Sequence, residues 1–246
     1  FMDGQIELAD NMRITTGLRY DWHPLSGGRI SPRFHFFYAP VKDHIFRLSV
    51  SRAFLHPSFT VSYVDISSTT HYFIDPPFPQ VPIAYTLGIE GNRDLEPEKI
   101  TSYELGIDSR WSEHLALSLN LFYNHYSGFI RNNWDYQVYG ESELFPGSPG
   151  GVIPKSFVIS YENGSDAHGY GVEMEVRLTF SRRFTGFVNA SFLQIIDLED
   201  NPYTTDVNED DNLRDTNPRL KINGGIRLIL PSGFSFDARA HWVDRV

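Results

Sequence analysis

Between Gly91 and Ile130 apolar and polar residues alternate with a period of two, in two arms joined by Ser112-Glu113-His114. In the first arm Tyr103, Leu105, Ile107 and Trp111 share one face, and Ser102, Glu104, Gly106, Asp108 and Arg110 the other. In the second, Leu115, Leu117, Leu119, Leu121 and Tyr123 oppose His114, Ala116, Ser118, Asn120 and Asn124. Such alternation marks a strand with one apolar and one polar face. Strands of globular proteins run about 5–6 residues, whereas a tilted strand that crosses a bilayer needs about 9–11. Both arms reach the longer figure. Aromatic residues close the apolar face at both ends, Tyr103 and Tyr123 at one and Trp111 at the other, as interfacial rings do on lipid-facing strands. A long hairpin of a soluble sandwich would show the same period, so this stretch alone leaves both readings open.

The pattern recurs along the chain. Gln5 to Leu8 reads as the tail of a strand, and Met12 to Trp22 as the next, with Met12, Ile14, Leu18, Tyr20 and Trp22 on the apolar side. Ile30 to Tyr38, His44 to Phe54, His168 to Phe180, Thr185 to Ile196, Pro218 to Leu230 and Phe234 to Trp242 continue it, giving about ten strands. Pro32 is expected at a strand start, where its missing donor is tolerated. Arg52 falls on the apolar side near a long-loop end, where an arginine at the membrane interface costs about 0–1 kcal/mol. Turns alternate short and long, as in outer-membrane barrels. The long loops are expected at about 55–99, 127–167 and 197–217, with Thr60 to Val64 extending a strand into the first of them. Outward aromatics sort by level: Tyr38, Phe46, Trp111, Phe180 and Phe234 lie near short turns, and Tyr20, Trp22, Tyr103, Tyr123, Tyr170 and Trp242 near long loops. The expected fold is all-β, a partial transmembrane antiparallel up-and-down barrel forming one domain over residues 1–246.

Composition narrows the function. With 31 Asp+Glu against 21 Lys+Arg the net charge is -10, which excludes a basic nucleic-acid surface. There is no cysteine, so neither disulfides nor thiolate metal sites occur. No apolar run reaches the ~18 residues of a membrane helix. The mean hydropathy of -0.31 is compatible with a barrel, in which only alternate strand residues need be apolar. The start at Phe1 and the stop at Val246 inside a strand-like run are what a piece of a longer polypeptide would show.

Several short motifs together resemble the barrel of TonB-dependent outer-membrane receptors. They are Asn92, Leu95, Pro97 and Glu98, followed by Tyr103-Glu104-Leu105-Gly106 and Phe122-Tyr123-Asn124. Gly17 to Asp21, Ser31-Pro32-Arg33, Arg52 to Phe54 with Pro57-Ser58, Gly171 to Glu175, and Asn217 to Gly225 add to the likeness. The resemblance implies about half of a barrel of about 22 strands in the outer membrane of a Gram-negative bacterium. It further implies an N-terminal plug domain in the lumen, the TonB-ExbB-ExbD complex as energy source, outer-membrane lipid around the barrel, and a scarce small-molecule ligand. A ferric siderophore is the commonest cargo, with haem, cobalamin and glycans as others. A passive porin-like channel and a soluble β-rich adhesin are the alternatives from other classes.

The polar strand faces carry both signs of charge: Arg13, Arg19, Arg33, Arg47, Arg110, Arg177, Arg219, Lys221, Arg227 and Arg239 with Asp21, Glu104, Asp108, Glu173, Glu175 and Asp237. Such groups need water or a polar filling. The resemblance supplies the plug as that filling; a solvated channel wall is the other reading. Loop aromatics Phe73, Phe78, Tyr85, Trp134, Tyr136, Tyr139 and Tyr203 are the expected ligand contacts, since rigid rings bind flat or apolar ligands at low entropic cost; packing the loops together is their other use. Asp206, Asn208 and Asp210 have the first spacings of an EF-hand loop, but Asp211 replaces the required Gly and Asn217 the terminal Glu. That leaves a solvated acidic loop, with a looser surface calcium site as the other reading; no defined metal site and no cofactor is expected. No catalytic motif occurs, so an enzyme is not expected.

Overall fold

The computed structural model describes residues 1–73, 82–144, 146, 148, 150–164, 166–197 and 218–245. Ten strands form one antiparallel sheet, each next to its neighbours in the order given. They are β1 (Met2–Ala9), β2 (Met12–His23), β3 (Gly27–Val41), β4 (His44–Leu55), β7 (Glu98–Ser112), β8 (Leu115–Ser127), β11 (Ala167–Ser181), β12 (Phe184–Asp197), β13 (Leu220–Ile229) and β14 (Ser235–Val243). Several run 12–15 residues, enough to cross a bilayer at a tilt and extend beyond it. The hairpin that dominates the sequence is β7–β8, and its turn is two residues, Glu113-His114, because Ser112 still belongs to β7.

Register keeps every apolar face on one side. One row runs Phe46, Ile107, Leu119, Met174, Ala190, Ile222, Trp242 across seven strands. It starts two residues above the β3–β4 turn and ends at the far end of β14, so the strands are staggered in one direction, as closing a barrel requires. The large side chains of this face are open: Leu18, Leu48, Leu105, Leu121, Val188 and Ile226 are all exposed.

Pro32 lies inside β3 rather than at its start. It pairs with Leu18 of β2, and the pairing of β3 with β4 begins only at Arg33↔Ser51. A residue without an N–H is tolerated where the ladder on one side has ended.

The first two long loops are not structureless. Residues 59–63 form one helical turn, α1 (Phe59–Tyr63), instead of a strand extension; the Ser58 hydroxyl accepts from the Val61 N–H at 3.5 Å at its start. β5 (Ile66–Tyr72), β6 (Ile83–Glu90), β9 (Ile130–Val138) and β10 (Pro154–Asn163) form a second sheet in the order β5-β6-β10-β9. The β6–β10 pair is parallel and joins the two loops, whereas its flanking pairs are antiparallel. The alternation Ile83, Tyr85, Leu87, Ile89 is the sequence signal that could have located β6. Among the described residues the apolar core consists of Ile83 (1% exposed), Ala167 (1%), Leu95 (4%) and Ile153 (7%). All four belong to this loop sheet, its tip, or its junction with the larger sheet; among the described residues the larger sheet adds no buried large apolar side chain, and its buried Ser49 is polar.

Candidate functional site

The recognisable Asn-x-x-Leu-x-Pro-Glu segment is the joint between the two sheets. The Asn92 side-chain amide donates to the Tyr161 carbonyl at 2.8 Å, and its backbone N–H to the Val61 carbonyl at 2.9 Å. Leu95 and Pro97 are buried. Glu98 accepts from the Ile130 N–H at 2.8 Å, just as the chain leaves the larger sheet for the smaller one. From β10, Asn163 accepts from the Glu96 N–H at 2.7 Å and donates to the Glu96 and Gly128 carbonyls, both at 2.9 Å. These side chains satisfy backbone groups that neither ladder can reach, and so fix the loop sheet above the strands.

The loop sheet is two-faced. Ile66, Leu87, Ile89, Phe157, Ile159, Trp134 and Tyr136 share one face, and Ser67, Thr69, Thr86, Ser160, Asn133, Asp135 and Gln137 the other. Trp134 is 58% and Tyr136 55% exposed, and the Trp134 ring meets Phe157 edge-on at 5.8 Å. Of the expected ligand contacts, Tyr85, Tyr136 and Tyr139 gather around Tyr72. Burial, then Tyr139, Tyr136 and Tyr85 in that order, push the Tyr72 phenol above its usual range. Tyr139 is a clamp: its hydroxyl donates to the Ala84 carbonyl at 2.7 Å and Lys155 stands over its ring. Phe73 follows β5 and is exposed; Phe78 and Tyr203 lie outside the described residues, as does the acidic segment 198–217. Leu87 and Phe157 belong to the same face and are not among the expected contacts; only the pairing of β6 with β10 brings them together. Among the described residues there is no group of three His, Asp or Glu that could hold a metal ion.

On the larger sheet, all thirteen charged residues singled out for the strands (Arg19, Arg33, Arg47, Glu104, Asp108, Arg110, Glu173, Glu175, Arg177, Lys221, Arg227, Asp237 and Arg239) fall on the side opposite the apolar rows. Many of them pair with neighbours on the same sheet: Arg19 with Asp21 at 2.7 Å, Arg33 with Asp3 at 2.6 Å, Arg110 with Asp43 at 3.8 Å, Arg227 with Asp237 at 2.8 Å, and Arg177 with Glu175. Arg47 instead donates to the Asn120 amide oxygen at 3.3 Å. Recesses open along this face. One of about 530 Å³ is lined by Glu175, Arg177, Asn189, Arg227, Asp237 and Arg239 among others.

Where β2 turns into β3, His23 stacks on His56 with ring centroids 4.9 Å apart, and the Ser26 hydroxyl lies 2.6 Å from His56 Nδ1 and 3.4 Å from His23 Nδ1. Burial first, then His23, lowers the His56 pKa; Asp21 opposes this and Arg29 adds to it. A histidine whose folded pKa is lowered contributes stability that is complete above the unfolded value of about 6.5 and is lost as pH falls. The protection factors of the Ser26 to Arg29 amides, corrected for the slower intrinsic exchange at lower pH, are therefore expected to fall between pH 7 and pH 5, and His56→Gln to flatten that dependence. An equal fall in the variant would mean that the histidine pair does not hold this turn.

Among functionally curated proteins no match was found. Solved structures with the same fold include a mutant of the ferric enterobactin receptor PfeA of Pseudomonas aeruginosa (TM-score 0.69, 20% identity, covering 97% of this chain and 31% of that one). The siderophore receptor PirA of Acinetobacter baumannii gives 0.66, 18%, 96% and 31%. The alcaligin outer-membrane receptor FauA of Bordetella pertussis gives 0.56, 18%, 99% and 36%. The chain thus spans about a third of these receptors. The family described as "TonB dependent receptor-like, beta-barrel" matches residues 1–245, and this chain belongs to it.

Proposed function

We propose that this chain is part of an outer-membrane barrel of a Gram-negative bacterium that imports a ferric siderophore, driven by TonB. The observation that carries the reading is the distribution of burial. The ten-stranded sheet keeps its apolar side chains in open view while its opposite face holds the charges. An apolar surface of this extent needs an apolar surrounding, and a bilayer supplies it. The charged face then lines the lumen, where a plug domain would meet charges such as Lys221 and Arg239, for which there is no ion pair among the described residues. Ferric-siderophore cargo is favoured because structures sharing the fold include a ferric enterobactin receptor and an alcaligin receptor, and because the exposed aromatic face of the loop sheet suits a flat, ring-bearing ligand.

The test is growth of a deletion strain on ferric siderophores, haem, cobalamin and glycans as sole sources, with and without TonB. Loss of growth on one ferric siderophore, restored by the gene only in the TonB-positive background, is expected. Growth that is independent of TonB would favour a passive channel instead. In the complemented strain, Tyr136→Ala is expected to weaken ligand binding at least about tenfold, as truncation of an aromatic anchor does. An unchanged affinity would place the ligand elsewhere.

A further inference from the structure

Just beyond the three tyrosines Tyr103, Tyr123 and Tyr170, which lie side by side in one row, the outward face changes character. The next row reads Arg52, Thr101, His125, His168 across β4, β7, β8 and β11, and Lys99 follows between Phe54 and Ser127. Arg52 Nε donates to the Thr101 hydroxyl at 3.2 Å, which ties the guanidinium to the neighbouring strand. The Tyr123 hydroxyl lies 2.5 Å from His168 Nδ1. The carboxylate found here among the described residues, Asp166, is already occupied: it accepts from the Gly128 N–H at 3.1 Å and lies 3.4 Å from His125 Nε2. Arg52 and Lys99 form no ion pair among the described residues, unlike Arg19, Arg33, Arg110, Arg177 and Arg227 on the other face. Two cations, Arg52 held by Thr101 and Lys99 beside it, lie one row or two past an aromatic girdle on the face whose lower rows are apolar, and stand at headgroup height if that face meets lipid.

We propose that Arg52, Thr101 and Lys99 form a site for the phosphate of an outer-leaflet lipid headgroup, with His125 closing its far side. A lipid is favoured over free phosphate because the site opens directly onto the apolar rows beneath it (Val50, Tyr103, Leu105, Leu121), where the acyl chains of the same molecule would lie. The inference rests on the membrane reading above, and the experiment separates the two.

The full protein, purified in detergent, is titrated with phosphatidylglycerol, with diacylglycerol, which has the same acyl chains and no phosphate, or with inorganic phosphate, and read by native mass spectrometry. Phosphatidylglycerol is expected to stay bound preferentially, and Arg52→Gln/Lys99→Gln to weaken it about tenfold or more. Both substitutions lie on the surface, and unchanged heat-modifiable migration of the variant certifies its fold. Equal retention of the two lipids, or undiminished phosphatidylglycerol binding by the folded variant, would overturn the site. So would displacement of the lipid by equimolar inorganic phosphate, which would assign the cations to a free anion. In parallel, acyl-chain nitroxide lipids should quench a probe at Leu119. Failure there sinks the membrane reading itself, whereas quenching without headgroup preference sinks only the site.

Discussion

Gly171→Ala is expected to destabilise the barrel by about 2–3 kcal/mol, the upper range for forcing atoms into a filled space, and Gly171→Val to prevent formation of the heat-resistant folded form. Gly171 lies on the charged side of β11 between Phe122 of β8 and Leu193 of β12. A Cβ there would run into the Phe192 carbonyl oxygen and come within 2.5 Å of the Phe122 ring. The ring could swing away, but a carbonyl in a strand ladder cannot move without breaking the pairing of β11 with β12. Gly225 provides the control. It pairs with Phe187, and its added Cβ would meet that ring first, at 2.6 Å. A ring edge yields more readily than backbone, so Gly225→Ala is expected to have a clearly smaller effect. Urea midpoints followed by the gel shift of unheated samples measure both; equal losses at the two glycines would refute the distinction.

Asn163→Ala should release the loop sheet without unfolding the strands beneath it. One side chain joins three backbone groups of two other segments: the N–H and C=O of Glu96 and the C=O of Gly128. At about 1 kcal/mol for each bond lost, the joint weakens by about 2–3 kcal/mol. Amides of β9 and β10 should then exchange faster, and trypsin should cut after Arg131 or Lys155, while β7, β8 and β11 keep their protection. Asn163→Asp discriminates hydrogen bonding from mere size. It can still accept from the Glu96 N–H but sets a carboxylate against two carbonyl oxygens, so it should be as damaging as alanine. A mild aspartate variant would mean that the bonds matter less than the shape. At the far end of the same sheet the Lys155 ammonium, bonded to Glu143 at 2.5 Å, holds that carboxyl below its usual range, so this tip contact persists above the carboxylate range and is lost on acidification.

The faces of the strands were legible from the residues alone. Period two is a property of one segment, and a strand such as Tyr170 to Phe180 carries the whole of it without reference to a partner. That is why the side of each of the thirteen charged residues could be written down from parity, and why the short turns fell within a residue or two of their places. The joint was legible only as a motif: Asn92, Pro97 and Glu98 stood out, but nothing near them in sequence shows that Tyr161, Ile130 and Asn163 complete their bonds.

What the tertiary structure decided is which edges meet. β6 and β10 are parallel partners drawn from two separate loops, and the links that join each to its own antiparallel neighbour, β5 or β9, are too long to give a tight-hairpin signal, so the two strands read as loop although Ile83 to Ile89 alternates well enough. Similarly, Pro32 could be placed mid-strand only once the ladder to β4 was seen to stop beside it, and Gly171 became indispensable only once the Phe192 carbonyl was found against it. Alternation is set by the geometry of a single extended backbone, whereas pairing, joints and close approaches depend on atoms brought together from distant parts of the chain.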